Sequence, residues 1–162
     1  MALGLRLKGN PAWVFNSMSD GELDEGSTWE AAMSAAHHKL GNLITLVDLN
    51  KQQADGNSHE VLEFEPLVDK WQAFGWHVQR VDGNDLPAVL AAFDTAMAVT
   101  DAKPRVILFD TLMGQGVDFL ERRAKNHFIR AEANEWQAAL DVLAAAYPNR
   151  STHNTQGHNP NS

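Results

Sequence analysis

Two short side chains that carry oxygen, Asp20 and Asn50, each follow an apolar run that is typical of a β-strand. The first run covers residues 12–18 and the second covers Leu43–Leu49. If both strands belong to one parallel sheet, Asp20 and Asn50 project from its carboxyl edge, where α/β sheets bind ligands. A carboxylate, an amide oxygen and a nearby backbone carbonyl form a hard-oxygen set. Such a set suits Mg²⁺ or Ca²⁺, with a phosphate completing the coordination shell.

The composition restricts the class of protein and the kind of partner. The chain has 162 residues, of which 44% are apolar and 21% are charged, as expected for one globular domain with a core. A net charge of −8 argues against nucleic acid as a partner. The absence of cysteine excludes disulfides, thiolate metal sites and a cysteine nucleophile. No apolar run is long enough to span a membrane, and a cytoplasmic location is expected.

Hydrophobic periodicity predicts an alternation of strands and helices along the chain. The predicted strands are 12–18, 43–49, 76–81 and 105–110, the predicted helices are 26–40, 64–74, 86–99 and 133–146, and the predicted loops are 51–60 and 111–130. This order indicates an α/β fold with a parallel sheet, right-handed crossovers and helices on both faces. Residues 1–148 form the predicted domain. Residues 149–162 are polar, and a disordered tail is expected there.

The first eight residues look like the final turns of a helix that leads into the turn Gly9-Asn10-Pro11. A four-stranded sheet that opens with half a helix would have exposed edges. We therefore expect the chain to be part of a larger domain, truncated at its N-terminus.

An ordered set of short motifs extends from Asp20 to His127, within a similarity that covers Met1 to about Ala146. It comprises Asp20-Gly21, Glu25-Gly26, Trp29-Glu30-Ala31, Asn42-Leu43-Ile44, Val47-Asp48-Leu49-Asn50, Asp55-Gly56, Phe74-Gly75-Trp76, Val81-Asp82-Gly83-Asn84, Lys103-Pro104, Thr111-Leu112-Met113-Gly114-Gln115-Gly116-Val117 and Asn126-His127. In content and order this set resembles the transketolase family. The resemblance implies the diphosphate-binding (PP-type) fold, with thiamine diphosphate and Mg²⁺ or Ca²⁺ as cofactors.

The resemblance also implies roles for the residues that match the family's cofactor motif. Asp20 and Asn50 match the metal ligands. Gln52 matches the residue whose backbone carbonyl completes the protein's share of the metal shell, so its side chain would be free to vary. Gly21 matches the glycine whose amide approaches the diphosphate, and Glu22 lies beside it on the same cofactor-binding turn.

Three further residues acquire expected roles in the same way. Glu25 and Glu30 match acidic residues that lie at the dimer interface and link two active sites. The alternative is an exposed helix start, where acidic side chains favour the positive end of the helix dipole. His127 matches a histidine in the loop that closes over the diphosphate, and a loop histidine without a role is the alternative.

Ser19 departs from the family pattern, which has glycine before the aspartate. If the position requires φ > 0, serine costs about 1–2 kcal/mol. If it requires only a small residue, serine is tolerated.

The resemblance implies a reaction that this chain would share with a partner. A transketolase moves a two-carbon ketol unit between sugar phosphates, and its pyrimidine-binding domain supplies the glutamate that activates the cofactor. The matched motifs include neither those of that domain nor those of the first part of the diphosphate-binding domain. The chain is therefore expected to correspond to the second half of the N-terminal subunit of a split transketolase. The expected partner is a pyrimidine-domain subunit, and homo-oligomers are expected as well. No catalytic residue is assigned to this chain.

Two alternatives remain open from the sequence. The chain could be an inactive fragment that folds and self-associates without cofactor. It could also derive from the E1 component of a 2-oxoacid dehydrogenase, which the run Asp48-Leu49-Asn50-Lys51-Gln52-Gln53 resembles, or from a deoxyxylulose-phosphate synthase.

Overall fold

A computed structural model describes residues 1–123, 126–127 and 130–148. The strands are β1 (Val14–Ser19), β2 (Leu43–Leu49), β3 (Gln52–Gln53), β4 (Gly56–Asn57), β5 (His77–Asp82) and β6 (Arg105–Asp110). The α-helices are α1 (Ala2–Leu7), α2 (Gly26–His37), α3 (Ser58–Val61), α4 (Leu67–Ala73), α5 (Leu86–Ala98), α6 (Asp118–Glu121) and α7 (Ala133–Ala146). A 3₁₀ helix covers Asp20–Asp24. The expected tail, 149–162, lies outside the described residues.

The main sheet has four parallel strands in the order β1-β2-β6-β5. Strand β2 lies between β1 and β6, with Ser19 opposite Asp48 and Leu49 opposite Asp110. All four strands therefore end at one edge. The predicted parallel α/β fold is confirmed.

The two faces of the sheet carry separate apolar cores. In β2, Val47 and Leu49 pack with helices α2 and α4, whereas Ile44 packs with Ala92 and Ala96 of α5. Strand β6 alternates in the same way, because successive side chains of a strand point to opposite faces. Burial on both faces explains why β2 and β6 are almost continuously apolar.

A cluster of aromatic residues fills the core beneath α2 and α4. Trp71 is 1% exposed, and its ring lies 5.3 Å from Trp29 and 4.8 Å from Trp76 between centroids. The indole N–H of Trp76 donates to the carbonyl of Ala32 at 3.0 Å, whereas the buried indole nitrogen of Trp71 has no partner among the described residues. These side chains hold both helices against the sheet. Trp136 on α7, by contrast, is exposed.

At the amino edge of the sheet, the buried guanidinium of Arg105 joins two loops. It donates to the carbonyls of Gly41 and Val99, and also to those of Asp101 and Lys103. The guanidinium carbon lies 5.2 Å from the ring centroid of Trp13. A buried charge requires such partners, and here they fix the ends of α2 and α5 relative to the sheet.

The two predicted loops contain regular structure, so the prediction was wrong there. Residues 51–60 form the hairpin β3-β4 and the start of α3, and residues 111–130 include α6. Strands of two residues and helices of four are too short to produce a hydrophobic period. Among the described residues, no helix is long and apolar enough to cross a membrane.

Candidate functional site

Asp20 and the turn after Asn50 meet at the carboxyl edge of the sheet. Asp20 begins the 3₁₀ helix directly after β1, and Asn50 directly follows β2. One carboxylate oxygen of Asp20, Oδ2, accepts a hydrogen bond of 2.9 Å from the backbone amide of Lys51. The structure therefore brings Asp20 into contact with the segment that carries Asn50 and Gln52.

Asp20 is a buried carboxylate, only 1% exposed. Its Oδ2 also accepts a hydrogen bond of 2.7 Å from the hydroxyl of Ser58. Burial raises the pKa of Asp20 above its usual range, and the charge of Asp48 adds to this, while hydrogen bonds from Ser58, Gly21 and Lys51 oppose it. Sequence reasoning missed Ser58, since residues 51–60 carried no sign of a helix start other than Asn57, whose side chain caps α3.

Asn50 is held by a polar network of its own. Its Nδ2 donates to Asp48 Oδ2 at 3.0 Å, and its Oδ1 accepts from the amide of Gln52 at 2.9 Å. Asp48 also accepts from the hydroxyl of Thr111. Lys51 between Asn50 and Gln52 has φ of 64°, a left-handed conformation that closes the turn. Asp48 and Thr111 thus orient Asn50, a role that the sequence did not indicate.

The residues around Asp20 form a self-capped turn. Ser19 has φ of −92° and ψ of 171°, an extended conformation that any residue adopts. Serine therefore carries no strain at the position where the family pattern has glycine. The amide of Ser19 donates to Glu22 Oε2 at 2.7 Å, so the Glu22 side chain caps its own helix.

Gly21 leaves room for a methyl group without strain. A Cβ there would meet the side chain of Gln53 at 3.6 Å, an ordinary van der Waals contact, and the backbone is not in the left-handed region. We expect Gly21→Ala to change the free energy of unfolding by less than about 0.5 kcal/mol. The resemblance implies that the Gly21 amide approaches the diphosphate, and a methyl group on the same residue should crowd that approach. We therefore expect thiamine diphosphate affinity to fall about tenfold, or about 1.4 kcal/mol.

Chemical denaturation and calorimetric titration with thiamine diphosphate and Mg²⁺ measure the two effects separately. Gly26→Ala is the matched control, because a Cβ at Gly26 meets no atom within 4 Å. Unchanged affinity in Gly21→Ala would contradict the expected approach of the diphosphate to this turn.

A polar cavity of about 550 Å³ opens beside Asn50 and Gln52. It lies along the carboxyl ends of β2, β5 and β6, and its lining includes Asp82, Asn84, Asp110, Thr111 and Gln115. Asn84 Oδ1 accepts from the amide of Leu112 at 2.8 Å, which holds the loop after β6 against the turn after β5. The cavity lies at the edge where α/β sheets bind ligands. Its lining includes one lysine, Lys51, and two carboxylates, so a phosphate group bound there would require a cation to offset their charge.

A hydrogen bond joins Gln52 to Asn126, the residue that precedes His127. Gln52 Oε1 accepts a hydrogen bond of 2.8 Å from the backbone amide of Asn126, and His127 is the next residue, exposed in a turn. The expected role of His127 stays a prediction. Glu25 and Glu30 are exposed at the start of α2, so both are accessible to a partner, and their interface role also stays a prediction.

The surroundings of the Asp20 carboxylate fit a divalent cation. The donors to the Asp20 carboxylate are backbone amides and a hydroxyl, which are neutral, so its negative charge is buried without a positive partner among them. Within the part of the chain that the structure describes, no three His, Asp or Glu side chains come together as a metal site. The expected set differs in kind, since it has one carboxylate, one amide oxygen and one backbone carbonyl.

Solved transketolases have a similar fold. A transketolase from Pichia stipitis matches 91% of this chain with a TM-score of 0.65 at 24% identity, and one from Campylobacter jejuni matches 91% with a TM-score of 0.64 at 19% identity. The chain covers 26% and 27% of those proteins. At these identities the likeness concerns the fold.

Sequence relatives have higher identity. An uncharacterised transketolase family protein of Sinorhizobium fredii is 56% identical over 145 residues, which are 90% of this chain and 52% of the relative. The 6-deoxy-6-sulfo-D-fructose transketolase subunit SqwG of a Clostridium species is 40% identical, covering 88% of this chain and 52% of the relative. One subunit of the apulose-4-phosphate transketolase of Actinobacillus succinogenes is 36% identical, covering 88% of this chain and 51% of the relative.

The chain spans about half the length of these curated relatives. The family model described as "Transketolase, thiamine diphosphate binding domain" matches residues 8–153. The resemblance that the motifs indicated is thereby confirmed, and the chain belongs to the transketolase family, within its thiamine diphosphate binding domain.

Proposed function

We propose that this chain binds the diphosphate of thiamine diphosphate through Mg²⁺ and forms part of a transketolase active site. The observation that carries the proposal is the buried Asp20 carboxylate in contact with the turn that holds Asn50 and Gln52. Asp20, the Asn50 amide oxygen and the Gln52 carbonyl would hold the metal ion. When bound, the cofactor supplies the carbanion chemistry of two-carbon ketol transfer.

The contribution of this chain is to bind and orient. Asp48 and Thr111 fix the amide of Asn50, and Ser58 and Lys51 fix the carboxylate of Asp20. The polar cavity beside them would receive the diphosphate. Ligand-binding groups that are already held in place need less ordering when the ligand binds, so the free-energy cost of binding is smaller.

A partner chain completes the proposed enzyme. The names of two relatives describe them as transketolase subunits, one acting on 6-deoxy-6-sulfo-D-fructose and one on apulose-4-phosphate. Both named sugars carry an anionic group, so a sugar phosphate or a related anionic sugar is the proposed substrate class. The glutamate that activates the cofactor would come from a pyrimidine-domain subunit.

The isolated chain should therefore bind cofactor without turning over substrate. Calorimetric titration with thiamine diphosphate should show Mg²⁺-dependent binding, and a chelator should abolish it. A ketol-transfer assay with a ketose phosphate, an aldose acceptor, thiamine diphosphate and Mg²⁺ should give no product. The buffer without protein is the control for the assay.

Each outcome has a distinct meaning. Product formed by the isolated chain would contradict the need for a partner. Absence of any cofactor binding would contradict the proposed function and favour the alternative of a folded fragment without cofactor. Gel filtration with light scattering on the same sample then tests the self-association that this alternative requires.

A further inference from the structure

The side chain of Gln52 makes a contact that its own turn does not require. The turn is closed by backbone and Asn50 groups, since the Gln52 amide donates to Asn50 Oδ1. The Gln52 side chain instead reaches a segment 74 residues away, where its Oε1 accepts from the amide of Asn126 at 2.8 Å. This contact joins the hairpin to the segment that carries His127.

Asn126 is held from two sides. Its backbone amide donates to Gln52, and its side-chain Nδ2 donates to the carbonyl of Leu120 at the end of α6. Within the part of the chain that the structure describes, its Oδ1 is buried without a partner. The two hydrogen bonds given above are therefore the contacts through which the described residues hold Asn126.

The side chain of the next residue, Gln53, also makes a long-range contact, with the segment that begins at Asp20. Its Nε2 donates to Asp24 Oδ2 at 3.0 Å, at the end of the 3₁₀ helix that begins with Asp20. Successive side chains of a strand point to opposite sides. The short strand β3 thus connects the Asp20 segment on one side with the Asn126 segment on the other.

We propose that Gln52 is a positioning residue whose Oε1 fixes Asn126, and through it the neighbouring His127, against the hairpin that lines the cavity at the carboxyl edge. The consequence for cofactor affinity rests on the proposed function, whereas the contact itself does not. The contribution comes from the side chain, in addition to the backbone carbonyl expected to face the metal. A change of side chain at Gln52 therefore acts on the cofactor through a distant loop.

The first test measures the contact directly. Hydrogen exchange of the Asn126 amide, followed by NMR, should be at least about tenfold faster in Gln52→Met, because methionine fills the space without a comparable acceptor. Gln52→Glu keeps an acceptor and should restore the protection. Gln79→Met is the matched control, since the Gln79 side chain donates to the carbonyl of Ala92 in α5, away from the hairpin that carries Gln52. Unchanged exchange at Asn126 in Gln52→Met would overturn the proposal.

The second test asks whether the contact acts through His127. Titration with thiamine diphosphate and Mg²⁺ should show Gln52→Met weakening affinity about five- to twentyfold, and Gln79→Met leaving it unchanged. In a His127→Ala background, Gln52→Met should add little further loss, since coupled residues are not additive. Faster exchange with unchanged affinity, or fully additive losses, would overturn the positioning role. If the unmodified chain binds no cofactor, the proposed function fails, and the exchange test still decides whether Gln52 fixes Asn126.

Discussion

Asp20→Asn should abolish Mg²⁺-dependent binding of thiamine diphosphate while leaving the fold intact. Asparagine has the shape of aspartate, and its single amide oxygen can still accept from the Lys51 amide and the Ser58 hydroxyl, which both donate to Oδ2 of Asp20. It lacks the negative charge with which Asp20 is proposed to hold the divalent cation. We expect affinity to fall at least about 100-fold, or about 2.8 kcal/mol, in calorimetric titration.

The same Asp20→Asn change should not lower the free energy of unfolding. Because burial raises the pKa of Asp20, the folded state favours the protonated acid. The stabilising contribution of protonated Asp20 is complete below the pKa that it has in the unfolded chain. This contribution is lost as the pH rises through the raised pKa of the folded state. At neutral pH, Asp20→Asn should therefore match or exceed the stability of the unmodified chain, and this advantage should shrink in acid. Asp94→Asn, an exposed change of equal charge on α5, is the control. Tight Mg²⁺-dependent binding by Asp20→Asn would contradict the assigned ligand.

Trp71→Ala should be the most damaging single change to stability. The indole is 1% exposed and packs against Trp29 and Trp76, so its removal leaves a large cavity between α2, α4 and the sheet. The cost expected for such a change is about 3–5 kcal/mol. Denaturant unfolding followed by circular dichroism measures it.

Trp71→Phe is the matched control and should cost only about 1–2 kcal/mol. It keeps an aromatic ring and removes a buried indole N–H that has no partner in the part of the chain that the structure describes. Equal losses of unfolding free energy for the two variants would contradict the view that aromatic packing, and not the indole N–H, stabilises this core.

The strands could be predicted from the sequence because burial leaves a clear pattern. Leu43–Leu49 and Arg105–Asp110 match their predicted bounds, since each is an apolar run between turn residues. Helix α2 was predicted to continue to residue 40 but ends at His37. Lys39, with φ of 51°, turns the chain there, before Gly41. A single sequence does not reveal which residue takes the left-handed conformation.

The site was predictable in part. The position of Asp20 and Asn50 after two strands was enough to expect them at one sheet edge. The contacts of Asp20 with Ser58 and of Gln52 with Asn126 join residues separated by 38 and 74 positions, and neither pair shares a periodic pattern. Such contacts depend on how short elements fold back. Ser19 shows the reverse case, because its extended backbone removes the strain that its departure from the family's glycine suggested.

If Asp20 holds the metal ion as proposed, its hydrogen bonds would make cofactor binding and local folding a single linked equilibrium. The carboxylate that would bind the metal also joins the start of the 3₁₀ helix to Lys51 and to Ser58 at the end of the hairpin. A ligand that binds only when these segments are in place stabilises them by mass action, by about 2.7 kcal/mol at a concentration 100 times its dissociation constant. Thermal unfolding of this edge should therefore report occupancy, and the cellular supply of cofactor would help to set how much of the chain is in its native form.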